Sequence, residues 1–154
     1  TQALYYAVYF EAETLKMLGK EEEARTVVSR LLPFIHSGYS PYMGPEADVY
    51  VALSYRMLGD EVVSRQYMSK YVKEWEEDVK NDLDRKPIVT SLYWSYVPDG
   101  VKEHKAEVIR ALAYSRLFFN DEKGARELFL RSLELNPDNL KAKFELFMLD
   151  NKDK

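Results

Sequence analysis

Residues 106–139 read "AEVIRALAYSRLFFNDEKGARELFLRSLELNPDN", and this stretch decides the fold. Apolar residues recur at helical spacing on both sides of Asn120 and Asp121, and strand-like alternation is nearly absent. Pro137 cannot continue a helix and marks the end of the second one. Because the turn between the two helices is very short, we expect them to form an antiparallel hairpin.

The internal spacing of this hairpin occurs twice more upstream. Each occurrence is a set of three residues: a small residue, then Gly or Asn, and then a second small residue. The second set lies 40 residues after the first, and the third lies 61 residues after the second. The sets are Ala12, Gly19 and Ala24, then Ala52, Gly59 and Ser64, then Ala113, Asn120 and Ala125. Three sets with one internal spacing predict a repeated hairpin unit.

The segment Ala106–Asn139 resembles a tetratricopeptide repeat along its whole length. Ala125, Phe129 and Pro137 match that family in residue type and spacing. Arg116 departs from the pattern, since Tyr is usual at its position. Small residues let the paired helices approach closely, and the Phe fills the space between neighbouring hairpins.

The resemblance implies an all-α fold without a β-sheet, in which helical hairpins form a right-handed superhelix. Segments 5–38 and 45–78 resemble the same unit more weakly. We expect one domain over residues 1–154, with three hairpins at about 2–36, 45–83 and 101–135 and a capping helix at about 138–149. The predicted helices are 2–18, 21–36, 45–58, 61–83, 101–119, 122–135 and 138–149.

Two connections are longer than the repeat requires. The spacings of 40 and 61 residues exceed the family period of about 34, and the extra residues lie near 36–45 and 83–100. The second connection carries Tyr93, Trp94 and Tyr96. Such an aromatic cluster either holds the connection against the helices or contacts a partner, and we favour the first interpretation.

In this family the first helix of each hairpin lines a concave groove that takes a peptide or a partner helix. The corresponding face of this chain mixes apolar, aromatic and cationic groups, which suits a peptide with apolar anchors and an acidic group. In the alternative interpretation, the same residues pack against the C-terminal helix or a neighbouring domain. The predicted groove residues are Tyr9, Lys16, Val49, Leu53, Arg56, Arg110, Tyr114 and Leu117.

The composition argues against several other functions. A net charge of −4 does not suit a nucleic-acid binder, and without Cys there is no thiolate zinc site or Cys nucleophile. His36 and His104, the two histidines, have neither zinc-ligand spacing nor a nucleophile partner. There is no Gly-rich phosphate loop. We therefore expect a non-catalytic protein-interaction module without metal or cofactor.

The N-terminal segment Ala3–Phe10, "ALYYAVYF", is the longest apolar run. It is too short to span a bilayer, so we expect no membrane insertion, and both the cytoplasm and the periplasm remain open. Its apolar residues surround the helix, which predicts cover by preceding sequence or by a second copy in a homodimer.

The segment Leu32–Asp60 resembles the C-terminal repeat regions of bacterial polytopic membrane glycosyltransferases, in which catalysis lies upstream. This second resemblance implies an alternative function, an accessory domain of a larger enzyme. Together with the abrupt helical start, it predicts that the chain is a C-terminal fragment of a larger protein.

Overall fold

The computed structural model describes residues 2–36, 45–70, 72–80 and 100–152. All regular structure in these ranges is α-helical and none of it is strand, which confirms the predicted all-α class there. The helices are α1 Gln2–Met17, α2 Glu21–Ser29, α3 Leu32–His36, α4 Pro45–Met57, α5 Glu61–Ser69, α6 Val72–Lys80, α7 Gly100–Phe118, α8 Glu122–Leu135 and α9 Leu140–Asn151. Among these helices, none has the length and apolar character needed to cross a membrane.

The predicted helix 21–36 is divided into α2 and α3. Pro33 has no N–H to donate to the Ser29 carbonyl four residues earlier, and its ring would clash with that carbonyl. The chain instead makes a tighter turn, in which the N–H groups of Arg30 and Leu31 donate to carbonyls three residues earlier, at 3.2 and 2.9 Å. The prediction was wrong because it overlooked this proline.

The predicted helix 61–83 also differs from the structure. Helix α5 ends at Ser69 and α6 begins at Val72, and the Lys70 N–H donates to the Tyr67 carbonyl at 3.3 Å, three residues earlier. The connection after α6 that carries the predicted contact residues is outside the described residues. Those contact residues are Tyr93, Trp94 and Tyr96.

The chain forms two compact units, Thr1–Lys70 and Tyr71–Lys154, here called the N-terminal and C-terminal units. In the N-terminal unit, α1 packs against α2, α4 packs against α5, and α4 also contacts α1 and α2. In the C-terminal unit, α7 packs against α8 and α6, and α9 packs against α8. The right-handed superhelix stays a prediction.

The three hairpins turn in the same way. Gly19, Gly59 and Asn120 have positive φ angles of 75°, 89° and 65°. At each turn this residue donates its N–H to a carbonyl three residues earlier, and the next residue donates to a carbonyl five residues earlier, at 2.8 to 3.0 Å. These are the two hydrogen bonds of a Schellman motif, which ends a helix with one left-handed residue. The middle residues of the three predicted sets therefore all adopt the same left-handed conformation.

The small residues of the three sets are buried where paired helices approach. All six are at most 1% exposed. In the second hairpin the Ser64 hydroxyl donates to the Ala52 carbonyl at 2.6 Å, so a side chain of α5 touches the backbone of α4. A larger residue at either position would push the helices apart. The six are Ala12, Ala24, Ala52, Ser64, Ala113 and Ala125.

The apolar residues of α1 pack largely inside the N-terminal unit. The rings of Tyr6, Tyr9 and Phe10 lie 6.2, 5.6 and 5.9 Å from the ring of Tyr50 on α4. Tyr50 itself is fully buried. These contacts inside the unit cover much of the apolar surface of α1, for which the sequence predicted cover by preceding residues or by a second copy. Self-association through α1 stays a prediction.

Helix α9 occupies the place of the predicted capping helix. Ala142 is buried, and its N–H donates to the side chain of Asn139, the N-cap residue just before the helix. On the opposite side Leu140, Phe144 and Phe147 are exposed. The outer face of α9 is therefore apolar, whereas a polar outer face is typical of a terminal helix in a repeat array.

Candidate functional site

Half of the predicted groove residues line one cleft in the N-terminal unit. This cleft, with a volume of about 200 Å³, lies between α1, α2 and α4 and is called the α1–α4 cleft. Its predicted members are Tyr9, Lys16, Leu53 and Arg56, and its other lining residues are Glu21, Ala24, Arg25 and Met57.

Helical spacing explains why these residues meet. Tyr9 and Lys16 are seven residues apart, which is close to two turns, so they share one face of α1. Leu53, Arg56 and Met57 are related by three and four residues on α4, and they share one face in the same way. The α2 residues of the lining repeat the same spacing. Because α4 contacts both α1 and α2, the three faces enclose the cleft.

The apolar part of the cleft is held in place by the core behind it. The Tyr9 ring lies 5.6 Å from the rings of both Phe10 and Tyr50. Ala24 is only 1% exposed, and Leu53 packs against the buried cluster that contains Tyr50. These contacts fix one wall of the cleft before any ligand enters.

Arg56 is the most constrained cation of the cleft. Its Nε and one terminal nitrogen donate to the two carboxylate oxygens of Glu61, at 3.3 and 3.2 Å. The Arg65 Nε also donates to Glu61, at 3.0 Å. The hydrogen bond from Arg56, with smaller contributions from the charges of both arginines, lowers the pKa of Glu61. Arg56 thus already binds a carboxylate in a bidentate geometry.

The other two cations have looser contacts. Lys16 Nζ lies 3.8 Å from the Glu13 carboxylate, beyond hydrogen-bond distance. Arg25 donates to Glu22 through one terminal nitrogen at 3.1 Å. Both cationic side chains are about half exposed. Among the described residues, neither Lys16 nor Arg25 makes two hydrogen bonds to one carboxylate, as Arg56 does with Glu61.

The remaining predicted groove residues are mostly interior. Val49 is fully buried in the N-terminal unit. In the C-terminal unit, Arg110 and Tyr114 are 2% and 4% exposed, and Leu117 is half-buried. The Tyr114 ring packs edge-on against the ring of Phe129, at 5.2 Å. In this structure the side chains of Val49, Arg110 and Tyr114 present almost no surface to a ligand.

Arg110 belongs to a polar network inside the C-terminal unit. Its guanidinium donates to the Glu103 carboxylate at 3.1 Å and to the Ser132 hydroxyl at 3.5 Å. The Asn136 side chain also donates to Glu103. These contacts connect α7 with the end of α8 and give Arg110 a structural role.

Sequence reasoning missed the contribution of α2 to the cleft. The predicted groove was placed on the first helix of each hairpin, so Glu21, Ala24 and Arg25 were left out. Their spacing of three and four residues puts them on one face of α2. Ala24 was already predicted to lie where paired helices pack closely. That prediction could have indicated that the face of α2 that carries Ala24 points toward the neighbouring helices.

The two histidines have separate environments. His36 Nε2 lies 3.1 Å from the Tyr55 hydroxyl. Burial lowers the pKa of His104, and the charge of Asp78 acts in the opposite direction. In the described ranges, no group of three or more His, Cys, Asp and Glu side chains is placed to hold a metal ion.

Among its described lining residues, the α1–α4 cleft therefore offers a fixed apolar wall, three cationic side chains and one carboxylate. With these groups it can bind an apolar group beside an anionic one. No protein-family model, curated protein or solved structure matches this chain.

Proposed function

We propose that the chain is a non-catalytic protein-interaction module, similar to tetratricopeptide-repeat arrays, that binds a segment of a partner protein in the α1–α4 cleft. The observation that carries this proposal is the convergence of four predicted groove residues on one cleft. Those residues were chosen from the repeat pattern, and the cleft is defined by geometry alone. The agreement supports a binding role for this face.

The size of the cleft favours a protein segment as the ligand. Pockets for small molecules and cofactors usually begin at about 300 Å³, whereas this cleft encloses about 200 Å³. That volume suits one large side chain, which a longer segment can insert as an anchor while the rest of it lies across the surface. Because the Tyr9 wall is already packed, little ordering of the receptor would oppose binding.

A peptide-display selection on the full chain tests the proposal. The substitution Met57→Glu places a charge in the cleft lining, and Met148→Glu places the same charge on α9, outside the cleft. Selected peptides should bind the wild type and Met148→Glu equally. We expect at least a tenfold weaker affinity for Met57→Glu, because a buried apolar anchor contributes about 1.5–3 kcal/mol. Circular dichroism checks that both variants remain helical.

Two results would contradict the proposal. One is a selection that yields no binding peptide, and the other is a set of peptides that bind wild type and Met57→Glu with the same affinity. Chemical-shift changes on peptide addition, measured by NMR, should centre on α1, α2 and α4. Changes confined to the C-terminal unit would place the site elsewhere.

A further inference from the structure

We propose that the α1–α4 cleft selects a peptide with an acidic side chain, and that Lys16 and Arg25, rather than Arg56, bind its carboxylate. This inference rests on the proposed function and adds to it the chemical class of the ligand and the residues that determine specificity.

The charge of the lining favours an acidic ligand. Lys16, Arg25 and Arg56 are cationic, and Glu21 is the single acidic residue among the described side chains of the lining. This surplus of positive charge is confined to the lining itself, since the carboxylates that pair with the three cations lie outside it and the whole chain has a net charge of −4. An apolar wall next to this surplus lowers the effective dielectric constant and strengthens the attraction for a carboxylate.

Arg56 is a poor candidate for binding that carboxylate. Glu61 engages two of its nitrogen atoms, and Arg65 also donates to Glu61. A ligand carboxylate that took the same two-point position would have to displace Glu61 and leave it beside the incoming negative charge. The exchange would replace one bidentate pair with another and add repulsion, so it offers little gain.

Lys16 and Arg25 can change partner more easily. The Lys16 ammonium has only a charge contact with Glu13 at 3.8 Å, and Arg25 uses one nitrogen for Glu22, whose side chain is 87% exposed. Exposed pairs of this kind contribute at most about 1 kcal/mol. The released carboxylates of Glu13 and Glu22 can return to water, so a ligand carboxylate can replace them at small cost.

The test uses the tightest-binding peptide from the display selection and an analogue in which each Asp and Glu is replaced by Asn and Gln. Fluorescence anisotropy measures the affinity of both peptides for the wild type, where we expect the acidic peptide to bind about tenfold more tightly. The double variant Lys16→Gln with Arg25→Gln should lose this preference and bind the neutral analogue as the wild type does.

A second double variant removes the ion pair between Glu61 and Arg56, which also lines the cleft. Arg56→Gln with Glu61→Gln takes away one positive and one negative charge, and the preference for the acidic peptide should remain. The inference is overturned if the Lys16 and Arg25 variant keeps the preference, if the Arg56 and Glu61 variant loses it, or if the tightest-binding peptide contains no Asp or Glu. It is also overturned if wild type binds both peptides equally, although the proposed function then stands. Failure of the wild type to bind either peptide removes the proposed function itself.

Discussion

Arg110 shows how a charged residue can be part of the interior of a helical unit. Its guanidinium is 2% exposed and donates to Glu103 on its own helix and to Ser132 on the next helix. The Ser132 hydroxyl donates in turn to the Ala106 carbonyl at 3.3 Å. The Arg110–Glu103 ion pair is buried unequally, because about a third of the Glu103 side chain remains exposed.

We expect Arg110→Leu to lower the free energy of unfolding by about 3 kcal/mol, because it leaves the polar partners of Arg110 partly buried without their donor. Arg116→Leu is the matched control on the same helix. Arg116 pairs with Glu76, and both side chains are about 40% exposed, so its loss should cost at most about 1 kcal/mol. Urea denaturation measures both values. Equal values would mean that the buried network does not stabilise the C-terminal unit.

His104 makes stability depend on pH in a direction that can be predicted. Burial lowers its pKa below the ordinary value of 6.5, although the charge of Asp78 on α6 opposes this shift. The Glu107 carboxylate lies 4.0 Å from the imidazole. The unfolded chain therefore binds a proton at this site at a higher pH than the folded chain does. Stability from the neutral imidazole is present above pH 6.5 and decreases as the pH falls toward the lower folded pKa.

The substitution His104→Gln removes this titration. We expect the urea midpoint of the wild type to fall more steeply than that of the variant as the pH decreases from about 7.5 to 5.5. Parallel decreases would show that other groups cause the dependence. Matching midpoints for the two proteins at the higher pH would show that the substitution itself does not disturb packing.

At the scale of the element, the three hairpin turns share one left-handed position. A Cβ added to Gly59 would meet no atom within 4 Å, so the cost of a larger residue there lies in the backbone alone. Asn120 occupies the equivalent position of the third hairpin with a φ of 65°. Asn tolerates this conformation better than other residues with a Cβ, which explains why either residue type serves here.

We expect Gly59→Ala to lower the free energy of unfolding by about 1–2 kcal/mol, the cost of a left-handed conformation for an L-residue. Asn120→Gly should change it by at most about 0.5 kcal/mol, because relief of strain offsets the larger entropy of Gly in the unfolded chain. Thermal unfolding followed by circular dichroism compares the two. A loss of equal size in both variants would argue against backbone strain as the cause.

Turns and helix ends could be predicted from the sequence where they depend on neighbouring residues alone. The shared spacing located all three turns, since the choice of Gly or Asn at a left-handed position is a local constraint. Pro33 is also local, and the break before α3 could have been predicted from it. The buried position of Arg110 could not be predicted, because one of its hydrogen-bond partners, Ser132, lies on another helix and is distant in sequence. The pairing of Arg56 with Glu61 is a similar case, as the carboxylate follows a turn whose exact geometry brings it back to α4.

At the scale of the whole molecule, the net charge of the chain and the charge of the cleft lining have opposite signs. The chain carries a net charge of −4, whereas cations outnumber carboxylates among the described residues that line the α1–α4 cleft. Charges on the surface act over about 8–10 Å at physiological ionic strength and over about 30 Å in dilute salt. An approaching acidic peptide should therefore meet weak repulsion at long range and attraction only within the cleft.

This arrangement predicts how salt affects the binding kinetics. Lowering the ionic strength from about 0.15 to 0.01 M should slow dissociation of the acidic peptide, because its contacts with Lys16 and Arg25 are screened less. Association should not exceed about 10⁵–10⁶ M⁻¹s⁻¹, the range without electrostatic steering, since the net charge opposes approach. Stopped-flow measurements with the acidic peptide and its neutral analogue separate the two rates. A tenfold faster association of the acidic peptide in dilute salt would mean that the cleft steers its ligand despite the overall negative charge.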